Sequence, residues 1–400
     1  MTFEPISIIH VALHFDDSPI PVGRLALHQR EIVFEYTPDF IKSGLEISPF
    51  KLPLKAGTQR CDDHLFEGLF GVFNDSLPDG WGRLLLDRKL RQLGINPGNL
   101  SPLDRLRYVG YHGMGALVFE PEISVGEQPT FKHLDDIADE VYAVSEDDDA
   151  EFVDELLAMN GSSAGARPKI VVRLDESDWL IKFRSAIDTN DIGAIEYAYH
   201  LMADKAGLIV PEAKLFPSKK CPGYFGVKRF DRHAGQRTHM HTLSGLLHAD
   251  HRIPSLDYKT ILKATSLLSK NTGETEKQFR AAVFNVLSHN RDDHAKNFSF
   301  LMNNKGQWSV SPAYDLTFSS GPIGEHCTMV MGEGKHPTHQ HLIDLANTVD
   351  IDSDTASDII QEVQHAVSLW PEFANEAGVS KTSLQMVEKT LKEVQKSTRI

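Results

Sequence analysis

Phe284 to Met302 reads FNVLSHNRDDHAKNFSFLM, and this stretch decides the fold. The apolar run FRAAVFNVLSHN (279–290) predicts a helix, RDDHAKN (291–297) a polar loop, and FSFLM (298–302) a strand. Asp292 is followed five residues later by Asn297, the spacing of a kinase catalytic loop. A carboxylate such as Asp292 can accept the proton of an attacking hydroxyl, and Asn297 offers a neutral oxygen of the kind magnesium prefers. Beyond a predicted hairpin, NNKGQ then WSVSP, comes Asp315 in AYDL, where a second metal-binding carboxylate would stand. Helix, loop, strand, hairpin, strand, aspartate is the order of a kinase C-lobe.

Competing readings of the same residues exist. Asp-Asp-His is also a common turn or cap cluster. With 19 histidines, His289, His294 or the group His326, His336, His339 and His341 could suggest a metal hydrolase, but none has zinc spacing such as His-Glu-x-x-His.

Upstream, GSSAGARPK (161–169) places small residues where a backbone turns tightly and presents N–H groups, as phosphate-cradling loops do. It is not a Walker A motif, and alone it equally describes a ligand-free hairpin. It leads into the strand KIVVRL, a turn at Asp175–Asp178, and the strand WLIKFR. Lys182, flanked by Leu180, Ile181 and Phe183, is costly to bury unless paired or facing an anion, although an edge-strand lysine can snorkel outward. A helix is predicted over about 191–206 from Ile192, Ile195, Tyr199 and Met202, with Gly207 as its cap and Glu196 on it. Loop, strand, lysine-bearing strand, helix with glutamate is the order of a kinase N-lobe. KLFPS and YFGVKRF complete that lobe as strands, and residues 239–400 read as mostly helical.

The first 55 residues alternate as short strands, with Val11, Leu13 and Phe15 at period two. NDSLPDG (74–80) is a turn cluster before the helix WGRLLLDRKLRQLG, and MGALVFEP is another strand. The expected architecture is therefore α+β and two-lobed. A small β-rich α+β unit covers 1–125, an N-lobe with the phosphate loop 130–232, and a mostly helical C-lobe 233–400.

The chain has 400 residues, 41 basic and 56 acidic, with 41% hydrophobic and 24% charged residues, an ordinary globular composition. A net charge of −15 argues against unaided DNA binding. Eleven acids and no Lys or Arg lie within 134–166, leaving 45 acids against 41 bases elsewhere, so the rest can present a basic cleft. Ile137, Val141, Phe152, Leu156 and Leu157 make that acidic run one or two helices. Cys61, Cys221 and Cys327 are too scattered for a disulfide framework, and neither a signal peptide nor a membrane span is read, so a cytoplasmic protein is expected.

Together the motifs NDSLPDG, GMGAL (113–117), SSAGARPK (162–169), WLIKF (179–183), EYAYHLMADKAGLIVPEAKL (196–215), GVKRFDR (226–232), RDDHAKNFSF (291–300) and SPAYDL (311–316) resemble those of the HipA-type serine/threonine kinases, the toxins of HipAB-type toxin–antitoxin modules. The resemblance spans 74–316 and implies a protein-kinase-like fold that uses ATP and Mg2+. It implies that Asp292 is the proton acceptor, that His294, Ala295, Lys296 and Asn297 contact ATP and magnesium, and that Asp315, after Tyr314, is the second metal ligand. Ala164, Gly165, Ala166, Arg167, Pro168 and Lys169 would form the phosphate loop, with Lys182 gripping phosphate and Glu196 holding it. Lys228, Arg229 and Phe230 would lie at the adenine, although the family commonly has a glutamate where Lys228 stands. Its regulatory autophosphorylated serine falls on Ser162, with Ser163 adjacent. The implied partners are a protein substrate, in relatives an aminoacyl-tRNA synthetase, and a HipB-like helix-turn-helix antitoxin, with DNA touched only through it. Two rivals remain from the residues alone: a small-molecule kinase of the aminoglycoside-phosphotransferase type, and a catalytically silent partner in an antitoxin or DNA complex.

Overall fold

The computed structural model describes residues 4–29, 31–123, 133–146, 152–160 and 165–398. The N-terminal unit is a five-stranded antiparallel sheet of β1 (Ile8–Leu13), β2 (Ile20–His28), β3 (Glu31–Tyr36), β4 (Thr58–Arg60) and β5 (Leu117–Glu120), in the order β4-β3-β2-β1-β5. On β1 the period-two pattern buries Ile9, Val11 and Leu13 and exposes Ile8 and His10, as one-sided burial of a pleated strand requires. Four helices accompany the sheet: α1 (Pro38–Ser43), α2 (Gly71–Asn74), α3 (Gly80–Gln92) and α4 (Pro102–Val109). Thr37 caps α1, and a reciprocal Ser101–Asp104 capping box starts α4.

The acidic run folds as α5 (Leu134–Glu146) and α6 (Val153–Asn160), which bury Ile137, Val141, Val144, Val153 and Leu156. A second sheet follows, β6 (Lys169–Leu174), β7 (Ser177–Lys182), β8 (Ala213–Phe216) and β9 (Tyr224–Lys228), ordered β6-β7-β9-β8. The helix α7 (Ile192–Lys205) packs against it. Trp81, Leu85, Leu86 and Leu90 of α3 join the core formed by α5, α6, β6 and β7, so the N-terminal unit contributes directly to the lobe that follows it.

The remainder holds β10 (His239–Thr242), α8 (Leu243–Leu247), α9 (Tyr258–Ser269), α10 (Thr272–Leu287), β11 (Ser299–Met302) and β12 (Trp308–Val310), then α11 (His339–Asn347), α12 (Ser353–Ser368), α13 (Trp370–Glu376) and α14 (Lys381–Ser397). Here β10-β11-β12 form a sheet, which the reading of 239–400 as helical around one hairpin did not contain in full. The strand HMHT has no apolar alternation to reveal it. Its inward residues are histidines: His239 Nε2 meets the Ile47 carbonyl at 2.9 Å, and His241 meets Ser48 Oγ at 3.0 Å and Asp75 Oδ2 at 2.6 Å. Tyr199 of α7 donates to the Ser288 carbonyl at 2.7 Å and lies 5.3 Å from the Trp370 ring, which locks the two lobes through one helix. No helix among the described residues is long and apolar enough to cross a membrane.

Candidate active site

A cleft of about 290 Å³ lies between the two lobes. Its roof is the β6–β7 hairpin, where Lys169 stands directly opposite Lys182. Opposite residues of an antiparallel pair share a face, so two ammonium groups converge there, an arrangement that is unfavourable without counter-charge. Lys182 donates to Glu196 Oε2 on α7 at 2.8 Å and also pairs with Asp315 Oδ1. Burial alone would lower the Lys182 ammonium, but Asp315 and Glu196 outweigh it and raise the group above its ordinary value. Burial would likewise raise Asp315, yet Lys182 and Lys169 hold it well below the usual carboxylate range. Lys169 is pulled below its usual value by burial, even with Asp315 nearby.

Arg167 binds the other oxygen of Glu196 at 3.0 Å and reaches Asp188 at 3.1 Å, so Glu196 is fixed from two sides. Arg167 and Glu196 therefore sit behind the cleft wall rather than in it, and Pro168 is buried beside them. Gly165 (φ +109) and Ala166 line the cleft. It is the positive φ of Gly165 that favours glycine here; a Cβ would also stand 2.5 Å from Lys169 Nζ, a flexible end that could shift. Ala164, Ser162 and Ser163 lie outside the described residues.

The floor comes from the loop between α10 and β11. Asn297 Nδ2 donates to the Asp292 carbonyl at 2.7 Å, which leaves the Asn297 side-chain oxygen as an acceptor. His294 caps the single turn Ala295–Asn297, accepting from the Lys296 N–H at 3.3 Å. Ala295 is buried beneath that turn. Asp292 is exposed and does not itself line the cleft, although it feels the charges of His294, Asp315 and Arg167. The protein around it pushes its carboxyl above the ordinary value, with the Asp315 charge adding to the shift and His294 opposing it.

The neighbouring Asp293 has a different task. Fully buried, it accepts from Tyr258 Oη at 2.7 Å, His326 Nδ1 at 2.9 Å and the Thr328 N–H at 3.1 Å, pinning the loop to the lobe. Asp315 follows Tyr314 with φ +53, a left-handed backbone uncommon outside glycine, asparagine and aspartate. Tyr314 is tied to Ser299 Oγ and the Lys296 carbonyl, both at 2.5 Å, and its ring lies 5.7 Å from that of Phe230.

Lys228, Arg229 and Phe230 line the far end of the cleft, but the Arg229 guanidinium is committed elsewhere. It grips Asp231 through two bonds, 3.0 and 2.7 Å, and Asp231 also holds Arg232 at 2.8 Å and the Gly115 N–H at 2.7 Å. Thus KRFDR and GMGAL are partners of one another. Lys228 faces Glu212 at 3.6 Å, so a carboxylate is supplied beside it from a different position.

One functional residue escaped the sequence reading. Asp79, at the end of NDSLPDG, accepts from the Gly165 N–H with one oxygen and pairs with Lys296 Nζ through the other. Burial would raise its carboxyl, but Lys296 holds it below the ordinary value. Gly80 (φ +46) lies so close to the loop that a Cβ would stand 2.5 Å from the Gly165 carbonyl. The only sequence signal was the turn cluster itself, whose partners lie 86 and 217 residues away.

Outside the cleft, Cys61, Asp63 and His248 group their ligand-type atoms together. His248 Nε2 accepts from the Gly71 N–H at 3.0 Å, so Nδ1 carries the proton and donates to Asp63 at 2.6 Å; the ring is committed without a metal.

A small strand-rich lobe with a lysine–glutamate pair, closed over a helical lobe that carries the Asp292–Asn297 loop and Asp315, defines a protein-kinase-like fold with an added N-terminal subdomain. The HipA N-terminal domain profile matches residues 15–120 and the HipA-like C-terminal domain profile matches residues 161–370. The chain belongs to the HipA family. HipA of Shewanella oneidensis MR-1, solved as a toxin–antitoxin complex with HipB and its operator DNA, superimposes with a TM-score of 0.71 at 17% identity, covering 97% of this chain and 96% of that one. "Putative kinase Y4dM" of Sinorhizobium fredii is 26% identical over 151 residues, 34% of this chain; the match spans only 36% of that protein's length. The Helicobacter pylori proinflammatory kinase CtkA aligns with a TM-score of 0.36 at 15% identity, over 57% of this chain and 95% of that one.

Proposed function

We propose that this protein is an ATP- and Mg2+-dependent serine/threonine protein kinase of the HipA toxin type. The observation that carries the reading is the convergence on one cleft of Lys182, held by Glu196, with Asp315 and Asn297. Asp292 lies near enough to interact with Asp315 and His294 of that cleft. The donor set suits magnesium: Asp315 stays ionised and Asn297 keeps a free oxygen, both hard ligands. When bound there, the ion neutralises charge on the transferring phosphate.

Each residue of the chain has a separable part. Lys182, released from Asp315 when an anion enters, turns its ammonium to phosphate while Glu196 and Arg167 keep it in place. With the Gly165 N–H held by Asp79, the Ala166 and Arg167 N–H groups of the loop cover the phosphates. Asp292, whose raised affinity for protons suits it to general-base work, accepts the hydroxyl proton of a protein serine and aligns it for in-line transfer. Positioning and fixed charge supply most of the rate. Ser162 or Ser163, in the phosphate loop, is the regulatory autophosphorylation site; a dianion there repels nucleotide phosphates. A HipB-like antitoxin is the partner through which DNA is reached, and the substrate is a translation protein such as an aminoacyl-tRNA synthetase.

Asp292→Gln and Lys182→Ala should each abolish transfer of labelled phosphate, a loss of at least about a thousandfold; circular dichroism stays near wild type in both, and melting stays near wild type for Asp292→Gln but falls for Lys182→Ala, which unpairs the buried Glu196. Undiminished transfer by either variant overturns the assignment. Comparing protein and metabolite fractions of a labelled lysate separates a protein kinase from a small-molecule kinase. Intact-mass measurement after ATP incubation locates the loop phosphate, and phosphoproteomics of cells expressing wild type against Asp292→Gln names the substrate.

A further inference from the structure

Further along the same face of the β6–β7 hairpin that carries Lys169 and Lys182, a second cavity, of about 190 Å³, opens between the N-terminal unit and the N-lobe. Four guanidinium groups line it, from Arg173, Arg229, Arg232 and Arg237, against a single lining carboxylate, Asp178. Buried Asp231 lies behind Arg229 and Arg232 and serves both. Arg232 also donates to the Gly113, Gly115 and Asp231 carbonyls at 2.7, 2.6 and 3.1 Å, and Arg237 donates to the Tyr111 carbonyl at 2.8 Å. Neutral carbonyls orient these groups without cancelling their charge. Arg173, opposite Asp178 in the hairpin register, makes no ion pair among the described residues.

Tyr111, which lines the cavity, donates its hydroxyl to Glu120 at 2.5 Å and its N–H to Glu122 at 3.2 Å, and neither of these acids lines the cavity itself. Positive charge therefore exceeds negative in a half-enclosed space. Burial is the main cause that pulls Arg232 and Arg237 below their usual values; neighbouring guanidiniums add to it and Asp231 opposes it. A small oxyanion would relieve the excess of positive charge, and planar guanidinium forks match phosphate oxygens two at a time.

We propose that this cavity is a binding site for a phosphate group, taken as inorganic phosphate or as a small phosphate monoester, with Arg173 and Arg237 as its open arms and the Arg229–Asp231–Arg232 cluster as its wall. It adjoins the far end of the nucleotide cleft at Arg229, which lines both, and does not depend on the kinase reading.

The test is calorimetric titration of the full chain with inorganic phosphate, and in a second arm with free O-phosphoserine, at ionic strength held constant with chloride. A non-hydrolysable ATP analogue with magnesium blocks the cleft, and a parallel series in Lys182→Ala removes cleft binding should the analogue itself fail to bind. One phosphate per chain is expected, weakened about tenfold or more in Arg173→Gln/Arg237→Gln, whose melt is compared with wild type. Because Arg173 is exposed, Arg173→Gln alone carries the test if the double variant does not fold, with a smaller but clear loss. Binding of the monoester alone identifies the source as a monoester. Absence of saturable binding of either ligand to wild type, or equal binding by wild type and variants, overturns the proposal.

Discussion

Asp79 joins three parts of the molecule with one carboxylate: its own turn, the Gly165 N–H and Lys296. Removing it by Asp79→Ala leaves the buried Lys296 ammonium without its counter-charge. Loss of one member of a buried pair costs several kcal/mol, but Asp79 remains 24% exposed, so about 2 kcal/mol is expected from urea unfolding. Asp79→Asn, which can still accept from Gly165, should lose less. Asp231 carries the acid sensitivity. Its carboxyl is held at about 2 against an ordinary 3.8, because Arg229 and Arg232 outweigh its burial. A depressed carboxylate contributes stability that is complete above about pH 4 and lost as pH falls toward 2, worth about 2 kcal/mol here. Urea midpoints measured from pH 7 down to 3 should fall in wild type, and Asp231→Asn should flatten that limb while lowering stability at pH 7. Sequence spacing identified the carboxylate–asparagine pair of the loop but could not assign Asp79, since nothing local to NDSLPDG reports on residues 165 and 296.

At the scale of elements, the join between the N-terminal unit and the C-lobe is made by two short helices in near contact. A Cβ on Gly71 of α2 would meet the Gly245 carbonyl at 2.2 Å, and one on Gly245 of α8 would meet Asp75 Oδ2 at 2.5 Å. Gly71→Ala should therefore force α2 and α8 apart and cost about 1–3 kcal/mol, visible as a lower urea midpoint. The same displacement would disturb Asp75, which accepts from the Thr242 N–H and hydroxyl, both at 2.7 Å. Helices and strands with strong periodicity, such as α7, β1 and the β6–β7 hairpin, were legible because burial on one face imposes that period. β10 was not, because its inward face is histidine held by partners from residues 47, 48 and 75.

For the molecule as a whole, the cores are shared rather than separate. Trp81, Leu85 and Leu90 complete the core of the N-lobe, Met302 of the C-lobe belongs to the N-terminal core, and Tyr199 of α7 sits in the C-lobe core. Calorimetry should show one dominant unfolding transition, and a chain reduced to residues 161–398 should lack it, since the apolar face left by α3, α5 and α6 would be open to water. Two well-separated transitions would show that the parts are independent. The order of the lobes, the catalytic-loop pattern and the acidic helices were determined by the sequence alone, because hydrophobic period and residue spacing are local quantities. Only the tertiary structure decided that Asp293 is buried as an anchor while Asp292 stays exposed, that Arg229 is held by Asp231, that Asp79 bridges two loops, and that four arginines share one cavity. Each of these is a charge whose role depends on which distant group stands within hydrogen-bonding reach, and chain folding alone brings those groups together.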